Sequence, residues 1–563
     1  MGKGNRNRQE RAEDKALNPE KYVKKKKSNW ASAIVGPLLA ALILVLVVVV
    51  LIGNSLTNGG VIMRSRTAAE SDDFEVNGAM MTYYVYSSYS NYVNYLYEVY
   101  SSMMSSSSNI DVYKYMGIDP NVSLKDQIYD EESGQTWFDY FADMAKTQVE
   151  QQLVYAQAAK EAGVKLDDDD YAAIDQNIEM IGAYAELYGV SFNSYLANNY
   201  GKGVREKDIR RALELTQLSA KYAETVKDGF FDATTEESVT AFYNENKNDY
   251  LYADYVSYKL TAEKNDDAEN ADEVYAADKE AIRTAADKLL ACKTEEEFRE
   301  YLKSYVATLA KETYTDQYYD QYVSESTAET DEAKAEEANK RIEDKAAADA
   351  ETVLEGILTE GVAYTTDTDL GAWIFGKDDA AAAKVGETFE VVDESKDADG
   401  DYAITVYMLV AEPARKDATT RNFTYLLLEE GSYTEADAKA ALTLFETNGD
   451  ITSEGLIKLG EDYDKKSACT TLEEAALGST GVDELDAWLF TDDRKAGDYT
   501  QITYTYEDKE FYIVVYVDEI GPAEWYIACR DALVSEQVTE WYDEASKTHV
   551  VTINDAVVAK VNM

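Results

Sequence analysis

One histidine, His549, and three scattered cysteines, Cys292, Cys469 and Cys529, are all that 563 residues offer of two versatile catalytic and metal-binding side chains. A single imidazole excludes an HExxH zinc site, a multi-histidine metal centre and a Ser-His-Asp triad with supporting histidines. Three distant cysteines give neither a disulfide framework nor zinc-ligand spacing. Stability must therefore come from ordinary apolar cores, and about 500 soluble residues suggest two to four domains. Basic residues are also scarce, 54 against 108 acids, for a formal charge of −54. Such a surface repels nucleic acid and anionic lipid and argues against both as ligands. Asp167-Asp168-Asp169-Asp170 lacks the alternating ligands and central glycine of a calcium loop. It reads as the start of a helix, where the macrodipole favours acids. The chain calls for no metal and no cofactor.

What is present first is a run of 22 residues without charge, 31–52, directly after Lys24-Lys25-Lys26-Lys27 and Ser28-Asn29-Trp30. About 20 apolar residues cross a hydrocarbon core of roughly 30 Å, and flanking cations stay on the cytoplasmic side. Of the basic residues ten, and of the acidic residues only four, lie in 1–27, so the rest of the chain stands at −60. The expectation is a cytoplasmic tail (1–29), a single-pass anchor (30–52), a linker (53–73) and an extracytoplasmic bulk. A cleaved signal peptide is the alternative, but its apolar region runs only about 7–15 residues. Ile52-Gly53-Asn54-Ser55-Leu56 is also a poor cleavage signature.

Beyond 73 a short strand, Phe74-Glu75-Val76, meets the turn pair Asn77-Gly78. From Met80 the spacing turns helical, with Tyr83, Tyr86, Tyr89, Tyr92, Leu96 and Tyr100 three or four apart on one face. Such a stripe is either packed core or an adaptable surface for peptides. Residues 101–109 read as a loop. A long amphipathic helix is predicted over 135–162, with Phe138, Phe141, Ala145, Val149 and Leu153 inward, and further helices over 168–188, 191–200 and 205–228.

The second half repeats. Leu370-Gly371-Ala372-Trp373-Ile374-Phe375 recurs as Leu485-Asp486-Ala487-Trp488-Leu489-Phe490. Val385-Gly386-Glu387 recurs as Ala496-Gly497-Asp498, and an alternating strand comes after each, 402–410 and 511–517. Strand-like runs 252–260 and 422–428 precede the two units. Several features recurring in one order indicate two copies of an α+β module. The first copy holds an excess at 265–350 rich in Ala, Glu, Lys and Asp, which reads as an inserted helical hairpin. A helix over 523–547 and a strand over 549–553 close the chain.

This order of motifs resembles the extracytoplasmic foldases of the SurA and PrsA type. The resemblance rests on Phe74-Glu75-Val76-Asn77-Gly78 and the run Leu153-Val154-Tyr155-Ala156-Gln157-Ala158-Ala159-Lys160-Glu161-Ala162-Gly163-Val164. Tyr188-Gly189-Val190-Ser191-Phe192, Tyr200-Gly201 and Phe242-Tyr243-Asn244-Glu245-Asn246 continue it. It implies a multidomain α+β chain. A helical chaperone domain (74–250, completed by 523–563) would contain two parvulin-like modules, 251–415 and 421–522. The Trp motifs stand where the family has Gly-Gly-x-Leu-Gly-x-Phe, with Leu370-Gly371 as the trace. The paired catalytic histidines of parvulins are absent. Tyr258 and Tyr425 hold the first-strand slots, and Ala403 and Tyr512 the last-strand slots.

By this resemblance the chain is a membrane-anchored holder of unfolded secreted polypeptides. Tyr83–Tyr100, Trp137, Phe138 and Phe141 would be client contacts. Trp373, Phe375, Trp488 and Phe490 either line two residual isomerase pockets or fill module cores. An active prolyl isomerase and an envelope scaffold remain the alternatives; nothing in the sequence names an oligomeric state. Protease added outside intact cells should degrade the large C-terminal portion and spare the tetralysine tail. An untouched C-terminal portion would overturn the orientation.

Overall fold

The computed structural model describes residues 63–103, 112–201, 203–263, 270–377, 380–394, 402–429, 432–461, 467–506, 509–561 and 563. The tetralysine, the apolar run 30–52 and residues 53–62 of the expected linker lie outside the described residues. Among the described residues no helix is long and apolar enough to cross a membrane. The architecture is mixed α+β with several small sheets. The chain divides into two units: one takes the described residues up to Thr235 together with Arg530–Met563, the other is Glu236–Cys529.

The first unit begins with β1 (Thr67–Glu70) and β2 (Glu75–Asn77), an antiparallel pair. Residues 67–70 correct the linker expected over 53–73: they form the central strand of a three-stranded sheet. Thr67-Ala68-Ala69-Glu70 has no bulky alternation to announce a strand. Asn77 then starts α1 (Gly78–Met103), because its side-chain oxygen accepts from the amides of Ala79 and Met80, both at 2.9 Å. The helix runs through Ser101 and Ser102, which composition had assigned to a loop. After α2 (Val112–Met116) come the hairpin strands β3 (Ile128–Asp130) and β4 (Gln135–Thr136). Next is α3 (Trp137–Glu161), started by a capping box between Thr136 and Asp139.

Asp167 caps α4 (Asp168–Leu187), with three acids in its first turn, and Lys221 reaches Asp167 and Asp170 at 2.5 and 2.6 Å. α5 (Phe192–Asn199) and α6 (Glu206–Ala233) complete this part. The core lies between α1, α3 and α6. Tyr84 is fully buried there and donates to Gln152 Oε1 at 2.6 Å. Arg64 pairs with Asp208, which is 1% exposed, at 2.8 Å.

The second unit opens with α7 (Glu236–Glu245) and then carries the two modules. Its boundary takes in residues 236–250, which the pattern had placed with the helical domain. Tyr243 lies against Trp525 at 4.9 Å, and Arg415 covers both rings. Module one contains β5 (Tyr252–Ala262), α8 (Ala271–Ala291), α9 (Glu295–Glu325) and α10 (Asp331–Glu355). It continues with β6 (Leu358–Ala363), α11 (Asp369–Phe375), β7 (Thr388–Glu394) and β8 (Tyr402–Leu409). Module two contains β9 (Thr419–Glu429), α12 (Glu435–Thr447), α13 (Ser453–Glu461) and β10 (Ser467–Ala475). It ends with α14 (Asp483–Leu489), β11 (Tyr499–Tyr506) and β12 (Lys509–Ala523).

Both four-stranded sheets are antiparallel in the same order: second, first, fourth, third. In each, alternate side chains of the two central strands go to opposite faces. One face packs on helices α8 and α9 in module one, or α12 and α13 in module two. The other packs on the short Trp-motif helix, α11 or α14. Helices α9 and α10 form a hairpin seamed by Ala338, Ile342, Ala346 and Ala350, four apart on α10. Arg341 over Tyr322 and Lys345 over Tyr314 decorate it. Ion pairs such as Lys311–Glu343, exposed on both sides, contribute under about 1 kcal/mol each.

α15 (Glu524–Thr548) leads out of this unit, its residues from Arg530 onward belonging to the first. There Trp541 stacks on Tyr155 at 5.1 Å. The terminal strand, expected over 549–553, is only β13 (Thr552–Ile553), paired with β1 as Ala69↔Ile553 and Glu70↔Thr552. α16 (Asp555–Val558) comes last and puts Val557 and Val558 into the core of α1.

Burial raises the phenols of Tyr83 and Tyr86 to about 12, and those of Tyr84, Tyr89 and Tyr200 further. Their stabilisation is complete below pH 10, the ordinary tyrosine value. Above it the unfolded chain loses protons that the folded chain keeps, so stability falls as pH rises through about 12. Alkaline titration monitored at the tyrosinate absorbance should show a cooperative transition of buried tyrosines above pH 10. Gradual, independent ionisation at pH 10 would contradict this core.

Candidate functional site

The two Trp motifs sit at the ends of α11 and α14, where short helices leave carbonyls without intrahelical partners. The copies satisfy them differently. In module one the chain folds back, and the Ala383 amide donates to Trp373 O and Ile374 O at 3.0 and 3.2 Å. Two glycines make that possible. A Cβ on Gly371 would lie 2.3 Å from Thr365 O, and Gly376 takes φ +79. Close packing on Thr365 therefore requires glycine at 371.

In module two Gly371 is replaced by Asp486, and arginines replace the fold-back. Arg421 Nε donates to Leu489 O and Arg494 Nε to Trp488 O, both at 2.9 Å. Arg494 lies 3.8 Å over the Trp488 ring and Arg421 5.1 Å over Phe490. Arg421 is only 5% exposed and spends its remaining bonds on Thr419 and Thr420 oxygens. Burial, and then the neighbouring Arg494, lower its pKa from the ordinary guanidinium value. Cations at a helix C-terminus oppose the negative end of its dipole.

The slots assigned to catalytic side chains do not converge. Tyr258 lies among the half-buried residues packed on the α8–α9 face with Val256 and Leu260. Ala403 alternates with Ile404 and Val406 and so lies on the opposite face. In module two Tyr425 packs under α14 with Phe423 and Val515, whereas Tyr512 packs under α12 and α13 with Leu426 and Val514. Each proposed pair is thus split across its sheet, because neighbours along a strand face opposite ways. Opposite Tyr425 stands Val515, and opposite Tyr258 stands Val406. Trp373 stacks on Phe389 at 5.3 Å and Phe375 meets Tyr364 at 5.1 Å. The aromatics of both motifs are half-buried and packed against their sheets.

Thiol chemistry is equally remote. Burial pushes Cys469 up to about 12 and raises Cys292 and Cys529, so all three are protonated near neutrality. His549 is in the first unit, its Nδ1 3.6 Å from Glu161.

Of the proposed client contacts, Tyr83, Tyr89, Trp137, Phe138 and Phe141 are buried in the first unit's core. Tyr86, Tyr92 and Leu96 are half-buried against it; Tyr100 lies in α1 and its side chain is outside the described residues. These residues hold the unit together and offer little surface. Some exposed apolar side chains lie next to them. Ile128, Tyr129 and Met144 are 53%, 40% and 39% exposed. Tyr129 stacks on Tyr140 at 4.3 Å and meets Trp137 at 4.6 Å. Tyr140, Asp143, Met144, Thr147, Gln148 and Gln151 line an open groove of about 470 Å³ along α3. Helical spacing carried the signal: if Phe138, Phe141 and Ala145 point inward, 140, 144, 147 and 151 lie off that face. Tyr129 sits on a three-residue strand with no such pattern.

No protein family matches the chain, and no curated protein does. Among solved structures, a similar chain is the foldase protein PrsA from Lactococcus lactis, in a crystal structure at 3.10 Å resolution. The two are 10% identical, the match covers 74% of this chain and 98% of that one, and the TM-score is 0.15.

Arg421→Met should lower the unfolding free energy by about 1–3 kcal/mol, because it strands buried carbonyls of α14 and β9. Arg421→Lys should recover little, since one ammonium cannot reproduce the planar fork. Denaturant midpoints of the full chain test both; full recovery by lysine would refute the fork.

Proposed function

We propose that this chain is a membrane-anchored extracytoplasmic chaperone that holds unfolded secreted polypeptides. Its modules 251–415 and 421–522 then serve as scaffold and spacing elements. The observation that carries this reading is the exposed surface at Tyr129 and Met144, beside the half-buried Tyr140. A rigid helix and a short hairpin hold it exposed while the neighbouring aromatics are locked in the core. Exposed apolar surface of this kind marks interaction sites, and methionine and tyrosine tolerate varied partners. The strong acidic excess supports solubility of a carrier loaded with unfolded chains.

Two further features support it. The resemblance to SurA- and PrsA-type foldases asks for a helical domain assembled from both ends of the chain, and β1 pairs with β13 in the first unit. Each module also places its first and last strands side by side, β5 with β8 and β9 with β12. The isomerase reading is weaker. Tyr258 with Ala403, and Tyr425 with Tyr512, lie on opposite faces, and both Trp motifs are packed into module cores.

The test is aggregation of a chemically unfolded client, monitored by light scattering with the full chain present. Replacing Tyr129 by Ser and Met144 by Gln should cut suppression at least about threefold. The thermal midpoint should move only a few degrees, as for surface substitutions. Unchanged suppression sinks the assignment of this surface. A proline-peptide assay accelerated by the full chain would favour the isomerase alternative.

A further inference from the structure

Asparagine followed by glycine occurs three times, at 58–59, 77–78 and 448–449, and the last two pairs lie among the described residues. The backbone nitrogen of the following residue can attack an asparagine side-chain carbonyl carbon. Glycine, without a Cβ and free in φ, hinders that approach least. The two described pairs share this chemistry but have opposite surroundings.

At the first pair every group the reaction needs is held. Asn77 is 5% exposed, and its Oδ1 accepts from the amides of Ala79 and Met80, both at 2.9 Å. The Gly78 amide donates to Arg66 O at 2.8 Å. A Cβ on Gly78 would lie 2.7 Å from Met63 O, so this peptide has no room to turn.

The second pair follows the last turn of α12, and both of its residues are exposed. The Asn448 amide donates to Leu444 O at 2.9 Å, which anchors the near side. Asp450 anchors the far side, since its carboxylate accepts from the Thr452 hydroxyl at 2.8 Å and from Lys458 at 3.3 Å. Between them, Gly449 takes φ +74, and nothing lies within 4 Å of the place its Cβ would occupy. Among the described residues its amide donates to no backbone carbonyl. The 448–449 peptide is therefore free to turn between two fixed points. Opposite rotations of ψ at Asn448 and φ at Gly449 bring the glycine nitrogen to Asn448 Cγ, a motion that glycine alone tolerates broadly.

We infer that Asn448 is a site of spontaneous deamidation, whereas the fold protects Asn77. The Gly449 amide gives its proton to water, and its nitrogen forms a bond to Asn448 Cγ. The bond from Cγ to the side-chain nitrogen breaks, and ammonia leaves. Water then opens the cyclic imide. Opening at Cγ gives aspartate, and opening at the main-chain carbonyl gives isoaspartate. Water is the one co-reactant. Either product adds a carboxylate at the C-terminal end of α12, where the helix dipole opposes it, and beside Asp450. Isoaspartate also lengthens the connection between α12 and α13 by a methylene. The inference is independent of the chaperone reading.

The experiment incubates the full chain in mildly alkaline buffer, folded or in concentrated urea. After digestion, the segments carrying 77 and 448 are followed by mass spectrometry, with fragmentation that separates aspartate from isoaspartate. In the folded chain Asn448 should convert at least about tenfold faster than Asn77, whose conversion must first break the bonds to Ala79, Met80 and Arg66. In urea the two rates should converge. Asn448→Gln should leave its segment without a new carboxylate over the same time. Equal rates in the folded chain overturn the inference, and so does an Asn448 that stays intact until urea is added. A gap that persists in urea places the cause in local sequence and overturns the structural protection.

Discussion

The first unit depends on a closure: two residues near the end of the chain, Thr552 and Ile553, add a strand beside Glu70 and Ala69. Two paired positions are a weak tie by themselves. The C-terminal residues beyond them strengthen it, since the Asn554 amide donates to Ala68 O at 2.8 Å and Val557, Val558 and Val561 enter the core around α1. Each buried valine contributes on the order of 1.5–3 kcal/mol. Ser123 Oγ and Lys125 Nζ add bonds to the carbonyls of Met563 and Ala559. A chain whose residues 67–70 and 552–561 share one core must fold that core through contacts of very high sequence separation, with a loop-closure cost that grows only slowly with loop length.

A second constraint runs through the two modules. Identical strand order places first and last strands side by side, so both faces of each sheet must be covered. The larger helices cover one face and the Trp motif the other. The copies reached this by different local means. Module one has glycines at 371 and 376 and a backbone fold-back; module two has Asp486, a buried Arg421 and Arg494. The aromatic residues of both motifs are explained by that coverage. They are packing elements at helix ends.

Much of the helical architecture was legible because its periods are long and its caps are local. Asp167 and Thr136 are explicit helix starts, and the inward set Phe138, Phe141, Ala145, Val149 and Leu153 is buried as spaced. The repeat was legible because several motifs recur in order. The candidate sites were less so. Tyr258, Ala403, Tyr425 and Tyr512 were matched by position along strands, and a strand's facing is decided only by pairing register. The tyrosine stripe had the correct period, but a period cannot tell which neighbour covers it. Phe141 and Tyr200, contributed by other segments, close over Tyr89 and Tyr83.

Composition and pattern by themselves determined the chain's acidic field, the exclusion of multi-histidine sites, the helix starts and the duplicated module. These depend on residue type and short-range spacing alone. Tertiary structure decided that Thr67–Glu70 is a central strand, that the proposed catalytic pairs face opposite ways, and that Tyr129 and Met144, not Phe138 and Phe141, meet solvent. Each of those is a question of which distant segment lies against a given side chain. Local sequence does not carry that information, because burial is a property of the packed partner as much as of the residue itself.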